Sequence, residues 1–169
     1  MFQLSNASTA LIDRCLQRQT PQAFGSFFQY SVWAALRRLA DYQECYSNDG
    51  AGQPDIIAGR IGVEVKSSGT ARIVLDGNYS DVRSQYEHFR LIGLRTDLMA
   101  MWAVEIPDPV PPTVDLGTVL RPQLTTDQQL ESGLARELSW VLESAGSVWS
   151  DAQTEVAARA AIDRAVGGS

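Results

Sequence analysis

Two carboxylates and the chain's single lysine stand at spacings that one β-hairpin would bring together. They are Asp55, Glu64 and Lys66, within Gln53-Pro54-Asp55-Ile56-Ile57-Ala58-Gly59-Arg60-Ile61-Gly62-Val63-Glu64-Val65-Lys66. Gly59-Arg60 reads as a two-residue turn with glycine first. Ala58 then pairs with Ile61, Ile57 with Gly62, Ile56 with Val63, and Asp55 with Glu64. Directly opposed residues of an antiparallel pair share a face, with Cβ atoms roughly 5 Å apart. Glu64 and Lys66 are two apart on one strand and share that face, while Val63 and Val65 point into the core. Opposed like charges destabilise a hairpin, and a divalent cation would offset that cost. Mg²⁺ takes oxygen ligands, so Asp55, Glu64 and the backbone carbonyl of Val65 are the candidate metal ligands, with Mn²⁺ expected to substitute. A metal so placed can activate water and neutralise charge on a phosphodiester. Lys66 would orient the attacking water or stabilise the developing negative charge.

Lysine usage points the same way. The chain carries thirteen arginines and one lysine, so ordinary surface positive charge is supplied by arginine. An ammonium is a compact point charge and a guanidinium a wide planar fork, so a lone lysine at this position points to a chemical need. The plain alternative is a salt-bridged solvent face of an edge strand. Pro107-Asp108 is an internal control: it sits in a proline-rich turn with no Glu-x-Lys after it. His88 has no metal-ligand spacing. Cys15 and Cys45 form no CxxC pair and read as buried small hydrophobes. There is no glycine-rich phosphate loop, Ser-His-Asp order or dinucleotide fingerprint, so no nucleotide cofactor is expected.

The elements that must position these residues are legible in outline. A short helix is expected over Ser8–Arg18. Thr20-Pro21 fits an N-cap followed by proline at the first helical position. The helix it opens carries Phe24, Phe27, Phe28, Val32, Ala35, Leu36 and Leu39 on one face. Strands are expected at Gln43–Tyr46, Asp55–Ala58, Ile61–Ser67 and Ala71–Leu75, with a turn-rich stretch at 48–52. A helix capped by Asn78 or Ser80 is predicted to reach Leu91 or Ile92 and stop at Gly93. Leu98–Ile106 is nearly all apolar, as in a strand covered on both faces. Thr126-Asp127-Gln128-Gln129 and Ser150-Asp151-Ala152-Gln153 fit capping boxes for two helices stopping near Gly146 and Gly167. This order gives an α/β (α+β) domain, a mixed sheet flanked by helices. A core over residues 1–106, a Pro-rich connection over 107–125 and a C-terminal helical extension over 126–169, packed on the same domain or at a dimer interface, are the expected divisions.

Charge and composition narrow the partners. The net charge of −6 argues against a protein that coats nucleic acid by electrostatics alone. Residues 60–95 hold five arginines and Lys66 against four acids (+2), whereas residues 96–169 hold four arginines against eleven acids (−7). The middle third can face phosphate; the tail cannot. No apolar run is long enough to span a bilayer, so no membrane partner and a cytoplasmic setting are expected.

The motif Pro54-Asp55, eight intervening residues, then Glu64-Val65-Lys66 resembles that of the PD-(D/E)xK nuclease superfamily over roughly residues 21–106. The resemblance implies a restriction-endonuclease-like fold and a Mg²⁺-dependent DNA endonuclease, with Asp55 and Glu64 as metal ligands and Lys66 as the catalytic lysine. It also implies a homodimer able to read a two-fold-symmetric DNA site. Many relatives carry a further glutamate on the first core helix; Gln29 takes that place here, and Glu44 or Asp49 would have to substitute. Gln85 resembles a glutamine near the active site of some relatives. Arg60, Arg72, Arg83 and Arg90 are the expected DNA contacts, the last two on one helix face. A structure-selective nuclease, such as a junction resolvase or repair nuclease, and a non-catalytic module retaining the fold are the alternatives.

Overall fold

The start signal at Thr20-Pro21 acts where the sequence places it, whereas the first helix begins two residues before the expected Ser8. In the computed structural model, which describes residues 1–47, 53–75, 79–117, 124–152 and 154–167, β1 (Phe2–Gln3) leads into α1 (Asn6–Arg18), capped by Ser5, whose hydroxyl accepts from the Ser8 amide. Thr20 caps α2 (Pro21–Leu36) through the Ala23 amide, with proline opening the helix. The predicted Gln43–Tyr46 strand is replaced by a 3₁₀ turn (Ala40–Tyr42) and a two-residue strand, β2 (Tyr46–Ser47). The motif hairpin follows as β3 (Ile56–Ala58) and β4 (Ile61–Ser68), then β5 (Arg72–Val74). Residues 48–52 and the Asn78 cap lie outside the described residues.

The segment after β5 departs most from expectation. The helix predicted to run to Leu91 or Ile92 is only α3 (Tyr79–Val82) and a 3₁₀ turn (Arg83–Gln85); His88–Arg95 is strand β6. β6 lies in the sheet interior, parallel to β4 and antiparallel to β7 (Ala100–Glu105). Central strands are covered on both faces and read as continuous apolar runs, which is what Leu91-Ile92-Gly93-Leu94 is. Gly93 is no helix stop. A Cβ there would lie 2.3 Å from Leu116 Cδ1, so glycine leaves the space that Leu116 fills.

The main sheet runs β1-β7-β6-β4-β3-β2, and β9 (Thr125–Thr126) pairs with β7 beside β1. One face is covered by helices. Phe24, Phe27, Phe28 and Val32 of α2 join Val63, Val65, Ile92, Leu94, Met101 and Ala103 of the sheet in a single core. That core also takes in Leu134, Leu138, Leu142 and Trp149 of α4 (Gln128–Asp151) and Ile162 of α5 (Glu155–Gly167). The C-terminal helices therefore complete the principal core. Trp149 is fully buried beside Phe27 and donates its indole N–H to Ser31 Oγ at 3.3 Å, so the one polar atom of a large apolar side chain is satisfied. The other face is covered by a two-stranded ribbon of β5 and β8 (Thr113–Asp115), with Ile73, Leu75, Val114 and Leu116 against Phe89, Leu91, Trp102 and Val104.

The cap of α4 is Asp127, not Thr126: its carboxylate accepts from the Leu130 amide at 3.0 Å, while Thr126 belongs to β9. Gly146 takes φ +57 and breaks the α-helical geometry where a stop was expected, although helical hydrogen bonding resumes to Asp151. α5 begins at Glu155, with Thr154 Oγ1 accepting from the Ala157 amide, rather than at Ser150.

Candidate active site

The hairpin forms in the register that its turn residues dictate. Ala58 pairs with Ile61, Ile57 with Gly62 and Ile56 with Val63, and Gly59 takes the positive φ (+60) that the turn requires. Asp55 directly precedes β3, so its position faces Glu64. Its carboxylate accepts a 2.9 Å hydrogen bond from the Val65 amide. In an extended strand the amide and carbonyl of one residue point to the same side, so the Val65 carbonyl also faces Asp55.

Alternation sets the two faces of β4. Val63 and Val65 enter the helical core, which leaves Gly62, Glu64 and Lys66 on the ribbon-covered face, in register with Phe89, Leu91 and Gly93. Gly62 permits a close approach there: a Cβ would lie 2.9 Å from Pro54 Cγ and 3.3 Å from Phe89 Cδ2. Pro54 is thus seated on Gly62, and Asp55 is placed by that packing on one side and by Val65 N–H on the other.

Glu64 is the unusual group. It is 1% exposed, and neither carboxylate oxygen has a hydrogen-bond partner. Its pKa is pushed up to about 10, chiefly by burial, and further by the adjacent Asp55 carboxylate. The positive charge of Lys66 pulls the other way, more weakly. Lys66 is half-buried, and among the described residues it forms no ion pair within 4.0 Å. A buried carboxylate without a donor is costly unless it is neutral or holds a cation. Its facing carboxylate, the Val65 carbonyl and the two orphaned oxygens make a hard-oxygen donor set of the kind Mg²⁺ takes. Among the described residues, no group of three or more His, Cys, Asp or Glu is placed to hold a metal.

The accessory residues are not gathered here. Gln29 lies on α2, whose buried side packs on the opposite sheet face from Glu64. Glu44 and Gln85 are exposed, with no hydrogen bond to either carboxylate, and Asp49 lies outside the described residues. Arg83 and Arg90 share no helix face. The Arg83 side chain is turned inward, bonding the carbonyls of Ile106 and Tyr86 at 3.0 Å each and pairing with Glu105. Arg90, in register with Val63, faces the helical side and pairs with Asp127 at 3.0 Å. Arg60, at the hairpin tip, and Arg72, on the ribbon, are exposed. A cleft of about 700 Å³ also opens on the helical side, lined by Tyr42, His88, Arg90, Asp127 and Arg136 among others. It contains neither acid of the hairpin.

Sequence reasoning missed the support around Asp55. Tyr86 donates its hydroxyl to Gln53 Oε1 at 3.0 Å, and Arg83 holds the Tyr86 carbonyl. Gln53 adjoins the motif and could have been flagged by position. Tyr86 carried no signal while residues 80–91 were read as one helix. No helix among the described residues is long and apolar enough to cross a membrane. Comparison with known proteins gives no relative: no family model, curated protein or solved structure matches the chain.

Proposed function

We propose that this chain is a Mg²⁺-dependent endodeoxyribonuclease of the PD-(D/E)xK type, restriction-endonuclease-like in its core, with Asp55, Glu64 and Lys66 as its active site. The observation that carries the reading is the buried Glu64 carboxylate, without a donor, opposite an Asp55 held in place by the Val65 amide. Asp55, Glu64 and the Val65 carbonyl would hold the cation. When bound, the cation supplies Lewis-acid polarisation of a phosphate oxygen and makes water more acidic. The protein's own part is positional and protonic. Asp55 is fixed before substrate arrives, and Glu64 must release the proton that burial makes it keep. Lys66, on the same face, donates hydrogen bonds to the attacking water or to the developing negative charge. Homodimerisation, with the acidic C-terminal helices away from DNA, would let two such sites cut both strands of a two-fold-symmetric target.

A second reading, a DNA-binding or interaction module that keeps the fold without hydrolysis, is favoured by one observation. The described residues include no cluster of three potential metal-ligating side chains. One assay separates the two. Purified protein is incubated with supercoiled plasmid, linear duplex and single-stranded DNA, with Mg²⁺ or Mn²⁺ and a chelator control. Nicking or linearisation that vanishes with chelator and in Lys66→Ala supports hydrolysis. Absence of cutting on all substrates with both metals overturns it.

A further inference from the structure

A row of aromatic side chains stands beside the two acids, towards the hairpin tip. β2 pairs with β3 so that Tyr46 lies opposite Ile57, Ile57 opposite Gly62, and Gly62 opposite Phe89. Side chains in one cross-strand row share a face, so Tyr46 stands on the face that presents Glu64 and Lys66. Its row is one two-residue step, about 7 Å, from that of Glu64. Tyr86 reaches the same row from the crossover, its ring edge-on to Phe89 at 6.2 Å between centroids. The two phenols are close enough for Tyr46 to add to the rise in the Tyr86 pKa that burial begins. Tyr46 is 55% exposed. Tyr86 is half-buried, and its hydroxyl is spent on Gln53. One further two-residue step along the hairpin brings the exposed Arg60 at the turn.

Along this face lie, in order, an ammonium with two carboxylates, an aromatic shelf, and a guanidinium. An exposed aromatic between two cations is the arrangement that tracks a single nucleic-acid strand, stacking a base while the charges follow the backbone. A base paired within a duplex has its faces covered by its neighbours, so the shelf has nothing to offer it. We propose that Tyr46, beside Tyr86, stacks an unpaired nucleobase of the strand whose phosphate faces Lys66, about 13 Å further along the sheet, so that the substrate is DNA with a single-stranded or locally opened segment. This rests on the nuclease reading for the identity of the phosphate, and the binding it describes is measurable without cleavage.

The test is titration of the full chain, with chelator present, into a short single-stranded oligonucleotide bearing 2-aminopurine and into a blunt duplex of the same sequence. Expected are quenching of the base analogue, binding of the single strand at least several-fold tighter than of the duplex, and about ten-fold weakening by Tyr46→Ala with rescue by Tyr46→Phe. Tyr46 lies on a two-residue edge strand, and matched circular dichroism would show the variant folded. Equal affinity for duplex and single strand, or Tyr46→Ala within two-fold of the parent, overturns the shelf. Tyr46-dependent binding by a protein that cuts no DNA keeps the shelf and sinks the hydrolytic reading. Cleavage indifferent to Tyr46→Ala does the reverse.

Discussion

Glu64 and Lys66 give the sharpest tests at the scale of single residues. Lys66→Ala should lower cleavage at least 10²-fold, the usual loss when one donor to a developing charge is removed. Lys66→Arg should not restore it, because a planar fork cannot replace a compact ammonium in a half-buried slot; recovery of cleavage by arginine would count against a positioned lysine. Glu64 also predicts a stability signature. Its folded-state pKa, about 10, lies above the ordinary 4.5, so the folded protein keeps a proton that the unfolded chain has released. The stabilisation this gives is fully present below pH ~4.5 and is lost as pH rises toward 10. In metal-free protein, thermal melts should show Glu64→Gln gaining over the parent as pH rises. The gain should grow by up to about 1.4 kcal/mol for each pH unit between those limits. A difference independent of pH would mean that Glu64 is not held protonated. Because metal and proton compete for that carboxylate, stabilisation of the parent by Mg²⁺ should grow with pH, and Glu64→Gln should lose it.

At the scale of elements, the two central strands depend on glycines for different reasons. Gly93 in β6 makes room for Leu116, which is 1% exposed. Gly93→Ala should therefore cost roughly 1–3 kcal/mol by overpacking, read from denaturant melts. Within a helix the same change would stabilise, so a more stable Gly93→Ala would contradict the strand. Gly62 in β4 seats Pro54. Gly62→Ala must push a rigid ring that adjoins Asp55, and cleavage should fall by at least ten-fold even where the melt shows a folded protein. The different legibility of these strands has a physical basis. β3 and β4 are joined by a two-residue turn, so local geometry sets their register and three pairings follow from Gly59-Arg60 alone. β6 finds β4 across some twenty residues of chain, and a short apolar run reads equally as a buried strand or a helix end.

At the scale of the whole molecule, charge and exposed apolar surface divide the labour. Residues 96–169 carry −7, and their helices expose Val148 at 56% and Val156 at 78%. If these helices meet across a two-fold axis, light scattering should report a dimer at micromolar concentration, and Val156→Asp should shift it towards monomer without unfolding it. A monomeric parent would remove the dimer from the proposal. Arginine placement predicts salt dependence. Arg60 and Arg72 are exposed, whereas Arg83 is bonded inward and Arg90 paired on the helical face. Replacing Arg60 by alanine should reduce the slope of log K against log salt for DNA binding by about 0.7–0.9 for each phosphate that is no longer neutralised, and Arg90→Ala should leave it unchanged.

The sequence by itself determined what short-range geometry controls. Gly59-Arg60 and period-two alternation placed Asp55, Glu64 and Lys66 on one face, and Thr20-Pro21 placed the start of α2. The tertiary structure alone decided what long-range packing controls. Pairing of β6 with β4 overrode the helix read over residues 80–91 and turned Arg83 and Arg90 away from the site. Covering of the second sheet face buried Glu64 and left its carboxylate without a donor. Cross-strand rows brought Tyr46 and Tyr86, forty residues apart in the chain, beside the same two acids, because side chains in one row of a sheet become neighbours whatever their separation in sequence.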